Sequence, residues 1–180
     1  MNKFIIALLV LFTLSACTQQ NQNLNEGREE GPELNKLVSV IHPTEGNDIT
    51  GTVTFTRQGE DVLVEATVRG LEPETKHGFH VHRFGDCSAG DATSAGGHLS
   101  PEDMPHGAPS EAGRHMGDMG NLVAGENGIA ELSYTDNVIE LSTIRGRAVI
   151  IHGEADDLES QPTGDAGPRI GCGVIGIAQN

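Results

Sequence analysis

The chain has 180 residues, and its 26 acidic and 11 basic residues give a formal net charge of −15 at pH 7. With no tryptophan and one tyrosine, it offers neither the basic surface nor the stacking platform that nucleic-acid binding requires, so we expect no nucleic-acid partner. The acidity favours solubility, and it also means that most of the surface would repel an anionic substrate.

The pattern of residues 1–16 is typical of an export signal. Lys3 precedes an apolar run from Phe4 to about Leu14, which is shorter than the roughly 20 residues that cross a bilayer. The segment Leu14-Ser15-Ala16-Cys17 resembles the lipobox of bacterial lipoproteins, in which the peptide is cleaved before the cysteine and the thiol is lipidated. The alternative is a plain signal peptide with an incidental cysteine. We expect a lipoprotein, periplasmic or associated with the outer membrane and anchored through Cys17.

The three cysteines, Cys17, Cys87 and Cys172, support this interpretation. An odd number in an exported chain leaves one thiol to be explained. Lipidation of Cys17 accounts for that thiol, and it leaves one pair for a disulfide in an oxidising compartment.

Residues 17–36 predict a flexible tether that follows the lipidated cysteine. The stretch is polar and shows no hydrophobic period, so it cannot bury enough apolar surface to fold by itself. A folded domain is expected over residues 37–180.

Short alternating segments rich in β-branched residues predict the strands of this domain. These segments are Leu37–Ile41, Ile49–Phe55, Val62–Val68, His77–Phe84, Leu122–Ala124, Ile129–Leu132, Ala148–His152 and Gly173–Ile177. Asn127-Gly128 is typical of a hairpin turn between two of them. No segment has a long helical stripe, so we predict an all-β fold, an eight-stranded barrel or sandwich.

Two connections are too long for a compact domain unless they serve a function. They run from Gly85 to about Met116 and from Gly153 to about Gly171. Metal ligation and a disulfide would hold such glycine-rich loops where apolar packing cannot.

Histidines cluster around the first of these loops. His80 and His82 project from one face of a strand, because side chains alternate along a strand. A single His-x-His is more often part of an ordinary strand, but four further ligand-type residues follow within 36 positions: His98, His106, His115 and Asp118. Imidazoles with one carboxylate and no thiolate suit zinc or copper better than calcium or magnesium.

These motifs closely resemble the metal-binding core of the copper,zinc superoxide dismutases, and the lipobox suggests a bacterial lipoprotein form. The similarity rests on GFHVH, SAGGH, HMGDMGN, GRAVIIHGEADDL and GDAGPRIGCGVIGIAQ, and it extends over about residues 38–180. It implies a Greek-key barrel with two functional loops, and copper and zinc as cofactors.

The resemblance also implies a role for each matching residue. The copper ligands would be His80, His82, His98 and His152. The zinc ligands would be His98, His106, His115 and Asp118. His98 would bridge the metals and carry a proton in catalysis, and Asp156 would hydrogen-bond one ligand histidine in each site.

Further residues match the family's substrate channel and disulfide. Arg169 would receive the superoxide anion over the copper, and Thr163 would form the other side of the channel. Pro162 stands where the animal enzymes carry a lysine, which indicates weaker electrostatic guidance. A Cys87–Cys172 bridge is implied. His42 and His77 match no ligand position and are interpreted as surface histidines.

The expected function is therefore that of an exported antioxidant oxidoreductase that disproportionates superoxide. The alternative is a copper- and zinc-binding lipoprotein without turnover. A zinc hydrolase would need an open zinc position, and the four zinc ligands disfavour it. The sequence does not determine the oligomeric state, and a homodimer is one possible assembly.

Overall fold

Eight antiparallel strands form a sheet that curls into a nearly closed barrel in the computed structural model, which describes residues 34–179. The strands are β1 Lys36–Pro43, β2 Thr50–Gln58, β3 Asp61–Arg69, β4 Lys76–His82, β5 Asp118–Val123, β6 Ile129–Asp136, β7 Ala148–His152 and β8 Arg169–Ile177. This is the fold class that the sequence predicts. The export signal, Cys17 and nearly all of the predicted tether lie outside the described residues.

The strand order is β5-β4-β7-β8-β1-β2-β3-β6. Neighbours in sequence pair along β1-β2-β3, whereas β4 lies between β5 and β7, so the chain crosses the barrel end twice as in a Greek key. The two outermost strands approach each other at one bridge, between Ala124 and Ala130. This arrangement brings β4 and β7, which carry histidines, side by side.

Strand alternation builds the barrel core. On β3, Val62, Val64, Ala66 and Val68 are buried, while Glu65 between them is exposed. Because side chains alternate across a strand, one face packs inward and the other meets solvent. The core therefore follows the period of two that the sequence displays.

Strands β4 and β7 depart from this pattern, because both of their faces are covered. Phe79 and Val81 on β4 belong to the barrel core, and His80 and His82 on the opposite face are buried as well. The cover is the loop formed by residues 83–117, where Ala92 and Ala95 pack with Ile150 of β7 in a second apolar cluster. Histidines here are enclosed between a strand and a loop.

The structure differs from the sequence predictions in several places. The predicted turn at Asn127-Gly128 forms, since the Gly128 N–H donates to the Gly125 carbonyl at 2.9 Å, but the hairpin is short, and the Ala124–Ala130 bridge alone joins its two strands. Strand β5 pairs along its length with β4, and β6 with β3. Strand β8 begins at Arg169, four residues before the predicted start, since it pairs with His152 of β7. The second long loop therefore covers residues 153–168.

The domain also begins slightly before the predicted boundary at residue 37. Leu34 packs against the core, and the backbone N–H of Arg57 donates to the carbonyl of Asn35 at 2.9 Å. The described part of the chain also contains two short helical segments, at Thr93–Ala95 and Leu141–Ile144. None of the helices within residues 34–179 has the length and hydrophobicity needed to cross a bilayer.

Candidate metal centre

Two sets of buried side chains converge above β4. The four-histidine set consists of His80, His82, His98 and His152, and the mixed set consists of His98, His106, His115 and Asp118. Within each set the potential ligand atoms all lie within 4.8 Å of one another. Every residue of the two sequence-predicted ligand groups is thus brought together, with His98 in both.

In the four-histidine set, one ring nitrogen of each strand histidine is held by a hydrogen bond to the protein. His80 Nε2 donates to Asp156 Oδ2 at 2.7 Å, His82 Nδ1 to the Gly96 carbonyl at 2.8 Å, and His152 Nδ1 to the Gly167 carbonyl at 3.1 Å. Such bonds select the tautomer and fix the ring plane.

The other nitrogen of each ring is buried and has no hydrogen-bond partner. These atoms are His80 Nδ1, His82 Nε2, His98 Nε2 and His152 Nε2. A buried polar atom without a partner is unfavourable by about 1–3 kcal/mol, and four of them facing one point are explained if a metal ion binds there. Imidazole donors without carboxylate or thiolate suit copper.

In the mixed set, three imidazole nitrogens surround one carboxylate oxygen. Asp118 Oδ1 lies 2.8 Å from His98 Nδ1, 3.1 Å from His106 Nδ1 and 3.2 Å from His115 Nδ1. Ligands about 2.0–2.1 Å from a tetrahedral zinc ion lie about 3.3 Å apart. The spacing therefore fits a four-ligand zinc site, to which the protein would supply every ligand.

Asp156 links the two sets. Its Oδ2 accepts from His80 of the four-histidine set at 2.7 Å, and its Oδ1 accepts from His106 of the mixed set at 2.9 Å. Gly164 lies against this carboxylate, and a Cβ there would be 1.9 Å from Asp156 Oδ1. Any larger residue would displace Asp156, so the second loop needs glycine at this position.

Burial makes the four-histidine set neutral. It lowers the pKa of His80 to about 3 and that of His152 to about 4, and it lowers the pKa values of His82 and His98. Neutral imidazole is the form that binds metals, so at pH 7 these rings need not lose a proton to do so.

The mixed set has the opposite electrostatics. Burial alone would raise the pKa of Asp118, but its contacts with three histidines lower it well below the usual range. Burial alone would lower the pKa of His106, and its close contacts with the carboxylates of Asp118 and Asp156 instead raise it to about 9. Without metal, His106 is therefore protonated on both ring nitrogens at pH 7, and a zinc ion would displace one of these protons.

A cavity of about 520 Å³ opens over the four-histidine set alone. His82 and His152 line it together with Thr163 and Arg169, the two residues predicted to border the substrate channel. Arg169 is half-buried, and its guanidinium donates to the carbonyls of Ala92 at 2.5 Å and Gly96 at 2.6 Å. The cavity gives a small molecule access to one metal set and places a guanidinium beside it.

The first loop is tied to the barrel at both ends. Cys87 and Cys172 of β8 form a disulfide, with Cα atoms 5.9 Å apart. Near the other end, the Gly117 carbonyl accepts from the Val81 N–H at 2.8 Å, and a Cβ on Gly117 would lie 2.1 Å from the Val81 carbonyl oxygen. The loop thus follows β4 closely enough to place His98 and His115.

The prediction that His77 is a surface histidine is wrong. The side chain is buried, its Nδ1 donates to the His152 carbonyl at 2.9 Å, and its Nε2 lies 2.6 Å from the Thr75 hydroxyl. The reason is that β4 is covered on both faces. His42, in contrast, is exposed.

Two amides that the sequence does not single out also support the site. Asn121 pairs with both backbone polar groups of Asp156, each at 2.8 Å. Gln161 pairs in the same way with both backbone groups of His106, each at 2.8 Å. Asn121 lies within the HMGDMGN motif, but no local pattern indicates Gln161, whose partner is 55 positions away.

Comparison with known proteins agrees with this geometry. Residues 49–175 match the family model described as copper/zinc superoxide dismutase. A relative named Superoxide dismutase [Cu-Zn], from Paramecium bursaria Chlorella virus 1, is 40% identical over 184 aligned positions, which cover 97% of this chain and 93% of the viral protein. Superoxide dismutase [Cu-Zn] 2 from Brassica juncea is 43% identical over 154 positions, 80% of this chain and 99% of the plant protein.

The fold and the paired histidine sets define a β-barrel protein with two adjacent metal sites. The chain belongs to the copper/zinc superoxide dismutase family. Its cofactors are copper and zinc, and the unpartnered ring nitrogens and the tetrahedral spacing fit those metals.

Proposed function

We propose that this chain is an exported, membrane-anchored superoxide dismutase that converts two superoxide anions and two protons to oxygen and hydrogen peroxide. The observation that carries the proposal is the open cavity, in which Arg169 stands beside the four-histidine set while the adjacent mixed set is closed. A store for metals would need neither the cavity nor the guanidinium.

Under this proposal the four-histidine set holds copper and the mixed set holds zinc. Copper, when bound, supplies the redox chemistry, since it can accept one electron from a first superoxide and return it to a second. Zinc is redox-silent, and a site with four protein ligands is structural.

The residues of the chain then have separate tasks. Arg169 binds the incoming anion by charge and hydrogen bonds, and its carbonyl partners Ala92 and Gly96 hold the guanidinium in place. His98 Nε2, which has no protein partner, holds and delivers a proton to the reduced product. The carbonyls of Gly96 and Gly167 keep His82 and His152 oriented.

Dismutation is tested by loading the purified protein with copper and zinc and following superoxide decay by stopped-flow absorbance. We expect decay that depends on bound copper and that His42→Ala, a change at an exposed histidine outside both sets, leaves unaltered. Stoichiometric binding of both metals without decay above that of free copper would favour the metal-store alternative.

Export and anchoring rest on the apolar run in residues 1–16 and on Leu14-Ser15-Ala16-Cys17. We propose cleavage before Cys17, lipidation of its thiol, and a tether that joins the anchor to the domain on the periplasmic or outer-membrane side. Cys17→Ser should abolish labelling by a fatty-acid analogue and release the protein from the membrane fraction. If the variant still partitions into detergent as the parent does, the lipobox interpretation is wrong.

We also propose a homodimer. Val40 and Val174 are about half exposed on the adjacent strands β1 and β8, and Phe84 in the neighbouring loop is 51% exposed. Gly85, the residue after Phe84, lies beside Val174, so these exposed residues are close to one another near the disulfide, and we propose them as the contact surface. Val174→Glu should convert the dimer to a monomer in sedimentation equilibrium. A parent that is already monomeric at micromolar concentration would contradict the proposal.

A further inference from the structure

The cavity over the four-histidine set has charges of both signs in its wall. Its charged lining residues are Glu154, Asp165 and Arg169, so the side chains contribute one more negative than positive charge before any metal binds. A small anion that enters meets two carboxylates as well as the guanidinium. Of these three charged residues, only Arg169 has a role implied by the family resemblance.

Glu154 is held close to the metal ligand His152. Its backbone N–H donates to the Ala166 carbonyl at 3.0 Å, and its own carbonyl accepts from Gly78 at 2.8 Å. Its side chain folds over Gly167, where a Cβ would lie 2.8 Å from Glu154 Cγ. Gly167 is the residue whose carbonyl orients His152. The backbone of Glu154 is therefore held beside the cavity, and its side chain belongs to the cavity wall and not to a distant surface.

Within residues 34–179, no ion pair neutralises the charge of Glu154. Among residues 34–179, the ion pairs involve only buried histidines with Asp118 or Asp156, and Arg114 with Asp136. The side chain of Glu154 is exposed at the cavity, so its field acts on whatever enters.

The positive charge of Arg169 is opposed from a second direction. Burial lowers the pKa of Arg169, and the charge of Asp91 acts against that decrease, so Asp91 lies near enough to interact with the guanidinium. Since the guanidinium remains charged in proteins, Arg169 is one cation among three acidic residues. Its attraction for an anion is partly cancelled before the anion arrives.

We propose that Glu154 sets the charge selectivity of this cavity, and that its carboxylate slows the capture of superoxide and weakens the binding of other small anions. The part that concerns superoxide rests on the proposed function. The part that concerns other anions does not, because anion binding to the copper-loaded protein requires no turnover.

Glu154→Gln removes the charge, and Glu154→Lys reverses it. One unit charge about 8 Å from an anion in water changes its capture by about twofold. At low ionic strength we therefore expect the second-order rate of superoxide decay to rise about twofold in Glu154→Gln and about fivefold in Glu154→Lys. In 1 M salt, where the Debye length is about 3 Å, both gains should disappear.

Glu60→Gln is the matched control. Glu60 is exposed on the turn between β2 and β3, outside the cavity wall, and its change alters the net charge of the chain by the same amount. If the effect came from overall charge, Glu60→Gln and Glu154→Gln would accelerate decay equally. We expect Glu60→Gln to match the parent.

Azide titration of the copper-loaded protein, followed by absorbance and normalised to bound copper, is the second readout. The Kd for azide should fall about twofold in Glu154→Gln and about fivefold in Glu154→Lys. If Glu154→Gln shifts neither azide binding nor superoxide decay beyond Glu60→Gln, the role of Glu154 is refuted. If the parent has no dismutase activity but the azide series keeps this order, the proposed function fails and the role of Glu154 stands.

Discussion

The four-histidine set and the mixed set differ in the part of the chain that holds them. His80, His82 and His152 lie on the barrel strands β4 and β7, and only His98 comes from the loop. In the mixed set, His98, His106 and His115 all come from the loop, and Asp118 is the first residue of β5. The first set opens to a cavity, whereas the second is enclosed.

This difference separates a rigid site from a site that depends on its metal. Strands hold their histidines through the barrel's hydrogen bonds whether or not an ion is present. A loop of residues 83–117 lacks such a ladder over most of its length, so ligand binding supplies part of its folding free energy. The arrangement suits a reacting metal on the barrel and a structural metal in the loop.

The largest expected effect comes from exchanging one ligand of each set for alanine. His152→Ala should remove copper and reduce dismutation by at least about a hundredfold. Loss of a residue that only hydrogen-bonds to a metal ligand already lowers metal affinity or activity by about 10–100-fold. His115→Ala should lose zinc and destabilise the loop while some copper-dependent activity survives. Metal analysis with superoxide decay distinguishes the two variants. Equal loss of both metals and equal activity in the two variants would contradict the division of ligands.

Loss of the disulfide should affect the first part of the loop more than the second. The double variant Cys87→Ser/Cys172→Ser should lower the free energy of unfolding by about 2–5 kcal/mol. Zinc content should persist, because the mixed set lies beyond this bridge in the loop, whereas activity should fall as Gly96 loses its support. Denaturant titration and metal analysis measure both. Two reactive thiols in the denatured, unreduced parent would exclude the bridge.

The side-chain amides of Gln161 and Asn121 support different metal sets, so their variants should affect copper and zinc binding differently. Gln161→Ala should weaken zinc binding by about 10–100-fold and spare copper, since His106 is the only metal-site residue to which Gln161 hydrogen-bonds. Asn121→Ala should weaken both metals, because Asn121 holds Asp156, which serves both sets. Chelator competition measures these affinities. Gln58→Ala, at the end of β2, is the matched control, and a similar loss of zinc there would remove the argument for Gln161.

Charge reversal at the open set should act on rate and not on metal content. Arg169→Glu should slow superoxide decay by at least about tenfold. Loss of one hydrogen bond, about 1.4 kcal/mol, already slows a reaction tenfold, and reversing the charge costs more. Salt should slow the parent and spare or accelerate the variant. Copper and zinc content should be unchanged. Full activity with the parent's salt response would refute the role of Arg169.

The pH dependence of metal binding should also separate the sets. The pKa of His106 is raised to about 9, so a proton competes with zinc below that pH. Zinc affinity should rise by about tenfold per unit between pH 7 and 8 and level off above about 9. Copper affinity should stay nearly flat over this range, since the pKa values of His80 and His152 are lowered to about 3 and about 4. Chelator competition across pH measures both slopes.

Local patterns predicted most of the barrel and the residues that converge in the two sets. Short segments bounded by turn signals indicated all eight strands, and most of them alternate, because side-chain direction in a strand depends only on neighbours in sequence. His-x-His on β4 needs no long-range contact to face one side. The turn at Asn127-Gly128 shows the limit of such signals, since it forms as predicted but its two strands share one bridge and pair along their length with β4 and β3.

By itself the sequence determined the strand periods, the spacing of the ligands and the cysteines available for a bridge, because each depends on residue type and order. Only the tertiary structure decided that β4 is covered on both faces, which buries His77, and that Gln161 reaches His106. It also decided that Glu154 shares a cavity with Arg169. These contacts join loops far apart in the chain, and their position follows from the packing of the whole barrel.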